Sequence, residues 1–176
     1  MGLETLNYLV ALGTVAMQIA TIALLALFFV RADFPRLTAF IERWALWGAF
    51  LLSAACVVMS LVYSEYFGLV PCSLCWFQRI FIYPQAVLFF FAALRKDYGV
   101  WLYSIALSIL GGIIALYQHY IQMVGESPLP CPAGGGDCVK RIIFEFGYIT
   151  FPLISFSAFV FLIVLMFYVR RPSTPR

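Results

Sequence analysis

Five apolar stretches, each of roughly 20 residues, limit what this chain can fold into. They run from about Tyr8 to Val30, Trp44 to Phe67, Trp76 to Leu94, Val100 to Tyr120 and Ile149 to Val169. A helix needs about 20 predominantly apolar residues to cross roughly 30 Å of hydrocarbon while satisfying its own backbone. Strands of a membrane barrel alternate apolar and polar residues with period two, and these stretches do not. The expected fold is all-α, a polytopic membrane helix bundle. Composition agrees: of 176 residues, 64% are hydrophobic and only 11% charged, against about 25% charged in a soluble domain. That excludes a soluble globular domain, a disordered chain and a nucleic-acid binder with its clustered basic face.

The charges fall at the breaks. Arg31, Arg36 and Arg43 separate spans one and two, Arg95 and Lys96 separate three and four, and Arg170, Arg171 and Arg176 follow span five. These eight of the eleven basic residues share one side if every stretch crosses, and the positive-inside rule makes that side cytoplasmic. The segment Met1 to Asn7, with no Lys or Arg, is then extracytoplasmic. Span one lacks the basic n-region, the short apolar core and the A-x-A site of a cleaved signal, so it reads as a retained helix.

This topology sorts the five cysteines. Cys72 and Cys75 lie between spans two and three, and Cys131 and Cys138 between spans four and five, so both pairs face the compartment where disulfides persist. Cys56 falls mid-span in Ala-Ala-Cys-Val-Val and reads as a small packing residue. Pro71-Cys72-Ser73-Leu74-Cys75 is a C-x-x-C at a helix start, where two sulfurs can meet and the helix N-terminus favours a thiolate. Arg79 follows Cys75 by one helical turn on the same face. A cation inside a membrane helix is costly and marks function by default. Arg79 suits a Cys75 thiolate or an anionic reduced acceptor; its bland alternative is an arginine snorkelling to lipid phosphate.

Cys131-Pro-Ala-Gly-Gly-Gly-Asp-Cys138 is a short glycine-rich loop. A disulfide across it constrains the unfolded chain by roughly 2.5 kcal/mol, and the glycines let it open and change partner. A purely structural staple, or four thiolates on one zinc, are the alternatives. His119, the only histidine, closes span four in Tyr117-Gln-His-Tyr120, level with the C-x-x-C. It is suited to a quinone carbonyl or a proton relay, or, more blandly, to a headgroup. Glu65 reads as solvated interface, and Gly111-Gly112 as a site of close helix approach. Trp44, Trp47, Trp76, Tyr98, Trp101 and Tyr148 read as interface belts, with Trp76 and Phe77 also able to wall a ring-shaped cofactor. Lys140-Arg-Ile-Ile-Phe-Glu-Phe146 is expected to be a short amphipathic segment lying on the surface.

Pro71-Cys-Ser-Leu-Cys-Trp-Phe-Gln-Arg-Ile-Phe-Ile-Tyr-Pro84 resembles the signature of the DsbB family, the bacterial quinone-dependent thiol oxidoreductases. The resemblance is strongest to the short BdbC-like branch, with Ser64-Glu65 ahead of the motif. It continues through Tyr117-Gln-His119 and the Cys131/Cys138 loop to Phe146-Gly-Tyr-Ile-Thr-Phe-Pro152. It implies a four-helix DsbB-like catalytic domain over 44–169. Residues 1–43 are then an extra N-terminal transmembrane helix with a cytoplasmic loop, and 170–176 a cytoplasmic tail. The second cysteine pair lies within a short loop, which removes part of the long loop that engages the partner in enterobacterial members.

The family mechanism, carried onto matching positions, makes Cys72, Cys75, Cys131 and Cys138 catalytic, with redox disulfides Cys72–Cys75 and Cys131–Cys138. A DsbA-like, thioredoxin-like extracytoplasmic oxidase attacks the second pair at Cys131. Cys138 exchanges with Cys72, and Cys75 passes electrons to a quinone, ubiquinone or menaquinone, held near Arg79 and His119. Membrane lipid is the surrounding partner, and no nucleic acid or metal is implied. A VKOR-like reductase is the competing enzyme, and Cys-Trp-Phe-Gln-Arg79 argues against it. A disulfide-stapled structural or transport protein is the competing non-enzyme. It would favour carboxylate-lined or broken spans, which this sequence lacks.

Overall fold

The structure, a computed structural model, describes residues 2–125 and 137–170. Five helices carry the fold: α1 Leu3–Phe29, α2 Pro35–Leu61, α3 Ser73–Arg95, α4 Val100–Val124 and α5 Phe151–Arg170. All five are long and apolar enough to cross a membrane, and no strand occurs among the described residues. Helix α2 starts at Pro35, well before Trp44, because proline at the first turn has its φ preset for a helix and no N–H to leave unpaired. At its other end α2 passes into a π-helical turn, Val62–Tyr66. The chain leaves that turn through Gly68, whose φ of 65° suits glycine.

Helices α2, α3, α4 and α5 pack as a bundle, and α1 lies along α5 rather than along α2. The outer surface is apolar, with Ile19, Ile22, Phe29, Leu51 and Ile113 exposed, while Ser53, Gln85, Ser104 and Ser108 are fully buried. That inverts a soluble protein and matches a bundle solvated by lipid. Gln85 of α3 accepts from the hydroxyls of Ser104 (2.8 Å) and Ser108 (3.2 Å) of α4, which ties two helices at mid-depth.

The segment 140–146, expected to lie on the surface, is largely exposed apart from Ile143. It is extended, closed by a bridge between Glu145 and Ile149, and Ile143 is buried with Leu6 and Tyr63. Ile143 finds a better solvent in the bundle, while Phe144 and Phe146 stay exposed. Phe146 and Gly147, both at positive φ, turn the chain towards α5.

Gly111 is a point of close contact between α4 and α5. A Cβ there would collide with the ring of Phe159, whereas one at Gly112 would find its nearest neighbours at 3.8 Å. Gly111→Ala is expected to lower stability by about 1–3 kcal/mol through overpacking. Gly112→Ala should leave it unchanged or slightly raised. Thermal unfolding of the two variants in detergent checks the contrast.

Candidate active site

The C-x-x-C spacing coincides with the geometry of a helix start. Cys72 is the N-cap of α3 with extended backbone, and its sulfur accepts the backbone N–H of Cys75 (3.4 Å). These are the two positions that a capping box brings together, so the first turn itself sets the sulfurs 2.8 Å apart. Both thiols are free. An approach of less than about 1 Å separates them from a disulfide. The hydrogen bond with Cys75, reinforced by burial, holds the Cys72 thiol above the ordinary cysteine range.

Three glutamines complete the surroundings, and none was singled out from the sequence. Gln118 of α4 donates from Nε2 to Cys72 Sγ (3.1 Å) and Cys75 Sγ (3.4 Å). Its Oε1 accepts from Gln78 Nε2 (2.6 Å), which orients the amide so that its donors face the sulfurs. One turn on, Gln122 Nε2 donates to the carbonyls of Cys138 (3.2 Å) and Lys140 (3.1 Å), pinning the second cysteine segment to α4. The available signal was the i, i+4 spacing of two amides in an otherwise apolar span.

Cys138 is fully buried, disulfide-bonded, and joins Cys72 and Ile121 in one cluster, with Cys75 and Tyr117 packed against it. A disulfide leaves it no thiolate for zinc. Cys131 lies outside the described residues. His119 is turned elsewhere: its Nδ1 meets Thr150 Oγ1 at 2.7 Å, and it does not line the cavity described below. Adjacent helix positions point about 100° apart, so Gln118 facing the sulfurs sends His119 away from them.

Arg79 is buried at 9% exposure. Its Nε donates to Ser60 Oγ (2.8 Å), its Nη2 to Ser60 O (2.9 Å), and its guanidinium stacks on Trp76 at 5.0 Å. Its Nη1 end has no hydrogen-bond acceptor among the described residues. Trp76 itself is half exposed, as a belt residue would be. Glu65 is exposed and accepts from the Ser64 hydroxyl (3.1 Å).

Cys72, Cys75, Gln78, Arg79, Gln118 and Gln122 line one end of a cavity of about 820 Å³, where Asp137 and Lys140 also reach its wall, and the remaining lining is mainly apolar. The Oε1 of Gln122 is buried there without a partner among the described residues. A guanidinium with spare donors and an orphaned amide oxygen, beside a thiol pair and an apolar chamber, match an apolar molecule with a polar, oxygen-bearing head.

Residues 42–169 match the family model described as disulfide bond formation protein DsbB. Similar curated proteins include the SPbeta prophage-derived disulfide bond formation protein B of Bacillus subtilis (strain 168), 39% identical over 110 residues, 62% of this chain and 74% of its own length. The "Probable disulfide formation protein C 2" of Bacillus anthracis is 33% identical over 119 residues, 68% of this chain and 85% of its own. A "Probable disulfide formation protein" of Metapseudomonas resinovorans is 32% identical over 127 residues, 71% and 88% respectively. No solved structure matches.

The Gln118 amide bonds to Cys72 favour its thiolate. Gln118 Nε2 donates to both sulfurs, so Gln118→Leu should remove support for a thiolate on either and slow alkylation of the reduced pair near pH 8. The expected slowing is about tenfold, the worth of one charge-assisted hydrogen bond. The rate measured against pH checks it: the profile should move to higher pH without changing its plateau.

Proposed function

Because the chain belongs to the DsbB family of disulfide bond formation proteins, we propose that this multi-pass membrane disulfide oxidoreductase reoxidises an extracytoplasmic thioredoxin-like dithiol oxidase and delivers the electrons to a membrane quinone. The observation that carries the reading is the buried meeting of Cys138 with the Cys72/Cys75 pair, at the polar end of an apolar cavity headed by Arg79. The charge distribution supports a cytoplasmic-membrane location with both pairs on the extracytoplasmic side.

The exchange begins with the reduced partner, whose thiolate attacks Cys131 of a Cys131–Cys138 disulfide and releases Cys138. Cys138 then attacks Cys72 of an oxidised Cys72–Cys75 pair, breaking that disulfide, forming Cys72–Cys138 and freeing Cys75. The partner's second thiolate resolves the mixed disulfide, so the partner leaves oxidised and Cys131 is free. Cys131 attacks Cys138, restores the second pair and frees Cys72. Two electrons and two protons now reside on Cys72 and Cys75. Every step is thiolate–disulfide exchange, whose rate follows thiolate fraction and access. Gln118 holds both sulfurs in place by its amide donors, and burial excludes competing thiols.

Quinone, when bound, supplies an acceptor for two electrons and two protons. Arg79 is the residue to orient its head, since Ser60 and Trp76 fix the guanidinium while Nη1 stays available. His119, bonded to Thr150, is one shell removed and suits proton exchange with the surface better than direct contact.

Two outcomes test the scheme. A partner oxidase whose second cysteine is replaced by serine should accumulate as a stable mixed disulfide on Cys131, visible on non-reducing gels, because the thiolate that resolves it is gone while the released Cys138 moves on to Cys72; absence of the adduct contradicts the order of exchange. Arg79→Ala should weaken quinone binding by at least about tenfold, as expected for loss of a charged hydrogen-bond donor, with little change in partner affinity. Equal weakening of both in steady-state kinetics contradicts the assigned role.

A further inference from the structure

Helix α1 lies outside the matched family region, which begins at residue 42, yet it forms one wall of the cavity that starts at the cysteines. Val10, Gly13, Met17, Ala20 and Leu24 of α1 line it, spaced as one helical face. Opposite stand Trp44, Gly48, Leu52, Cys56 and Met59 of α2, and α5 closes the back with Ala158 and Leu165. Small residues on both facing helices keep the space wide. The lining of α2 extends from Phe40 to Ser60, about 30 Å at 1.5 Å per residue, the thickness of the hydrocarbon layer.

The position of α1 does not come from filling that space. Polar contacts hold it on the far side: Tyr63 OH donates to Asn7 Oδ1 (2.8 Å), Gln18 Nε2 donates to Ser157 Oγ (3.0 Å), and Tyr148 OH donates to Gln18 Oε1 (3.1 Å). The Tyr168 hydroxyl donates to the carbonyl of Leu24 near the other end. These pegs fasten α1 to α5, to the π-helical turn of α2 and to the loop before α5. Between α1 and the length of α2 a groove is left.

We propose that α1 is a dedicated wall of this groove, which holds the isoprenoid tail of the electron acceptor along the depth of the membrane. The inference rests on the quinone reading above and adds the tail site and the purpose of the first helix. Three observations select this occupant. The groove is apolar along its length, it spans the hydrocarbon, and its polar end is the thiol pair with the buried Arg79, whose Nη1 end has no acceptor among the described residues. A phospholipid shares the pattern of apolar chain and oxygen-rich head, but its phosphate accepts no electrons from a thiol pair.

The test narrows the groove without touching its polar end. A Cβ at Gly13 meets nothing within 4 Å, and one at Gly48 meets only Leu165 Cδ1 at 4.0 Å. The full-length protein, Gly13→Leu/Ala20→Leu and, separately, Gly48→Leu are purified from the same membranes. Quinone and phospholipid retained per chain are quantified, and affinities for a long-tailed quinone and a tail-less analogue are read from tryptophan fluorescence quenching. Both variants should bind the long-tailed quinone about tenfold more weakly, roughly the worth of two buried methylenes, and retain less of it on purification. Affinity for the tail-less analogue should be unchanged. Equal loss for both quinones would make α1 a merely structural helix, and unchanged long-tailed affinity would place the tail elsewhere. Selective loss of phospholipid would assign the groove to an acyl chain. Any of these overturns the proposal while leaving the acceptor reading intact; a wild-type protein that binds neither quinone overturns both.

Discussion

A polar side chain set among apolar helices has to find its partners inside the protein, because the surrounding lipid offers none. This constraint organises the bundle. Gln85 is met by Ser104 and Ser108, Asn7 by Tyr63, Gln18 by Ser157 and Tyr148, and Arg79 by Ser60. Each pairing joins different helices or fastens a loop to one. Apolar packing alone distinguishes poorly between one helix arrangement and another in lipid, since lipid tails are as apolar as leucine. The polar pairs supply the discrimination, and they are densest at the cysteine end.

The same constraint shapes the chemistry. The first turn of α3 has unpaired backbone donors, and Cys72 answers one of them with its sulfur. Gln118 adds side-chain donors to both thiols, and Gln78 fixes the orientation of that amide. The Cys72/Cys75 pair is thus also the cap of a membrane helix, so its geometry is set by the fold itself. Beyond it the polar surroundings end abruptly in an apolar chamber, where Arg79 is the one cation among the lining residues of α3. On the proposed function, thiol exchange needs a polar environment and an isoprenoid acceptor an apolar one, and the boundary between the two surroundings falls at one helical turn.

Much of this was legible in the residues. The five spans follow from hydropathy, the close approach of Cys72 and Cys75 from C-x-x-C spacing, and the need of Arg79 for internal partners from its cost inside a helix. Gly111 was legible as a contact and turned out to seat Phe159. Other features depend on rotation or tertiary company that one strand of sequence does not carry. His119 drew attention as the only histidine, yet its neighbour Gln118 faces the sulfurs, because one residue on a helix is 100° of rotation. Residues 140–146 carry an amphipathic pattern, but Ile143 is taken up by Leu6 and Tyr63, which lie far away in the chain. The docking of α1 was hidden because its pegs, Asn7 and Gln18, acquire meaning only beside Tyr63, Tyr148 and Ser157.

The central claim is that the two cysteine pairs form one relay through contact between Cys72 and Cys138. Disulfide mapping in a Cys75→Ser/Cys131→Ser double variant addresses it directly, since Cys72 and Cys138 are then the two buried thiols at this end of the bundle. Under mild oxidant, mass spectrometry of the digested protein should find a Cys72–Cys138 disulfide in most molecules. Two free thiols, or a crosslink to Cys56 instead, would contradict the relay.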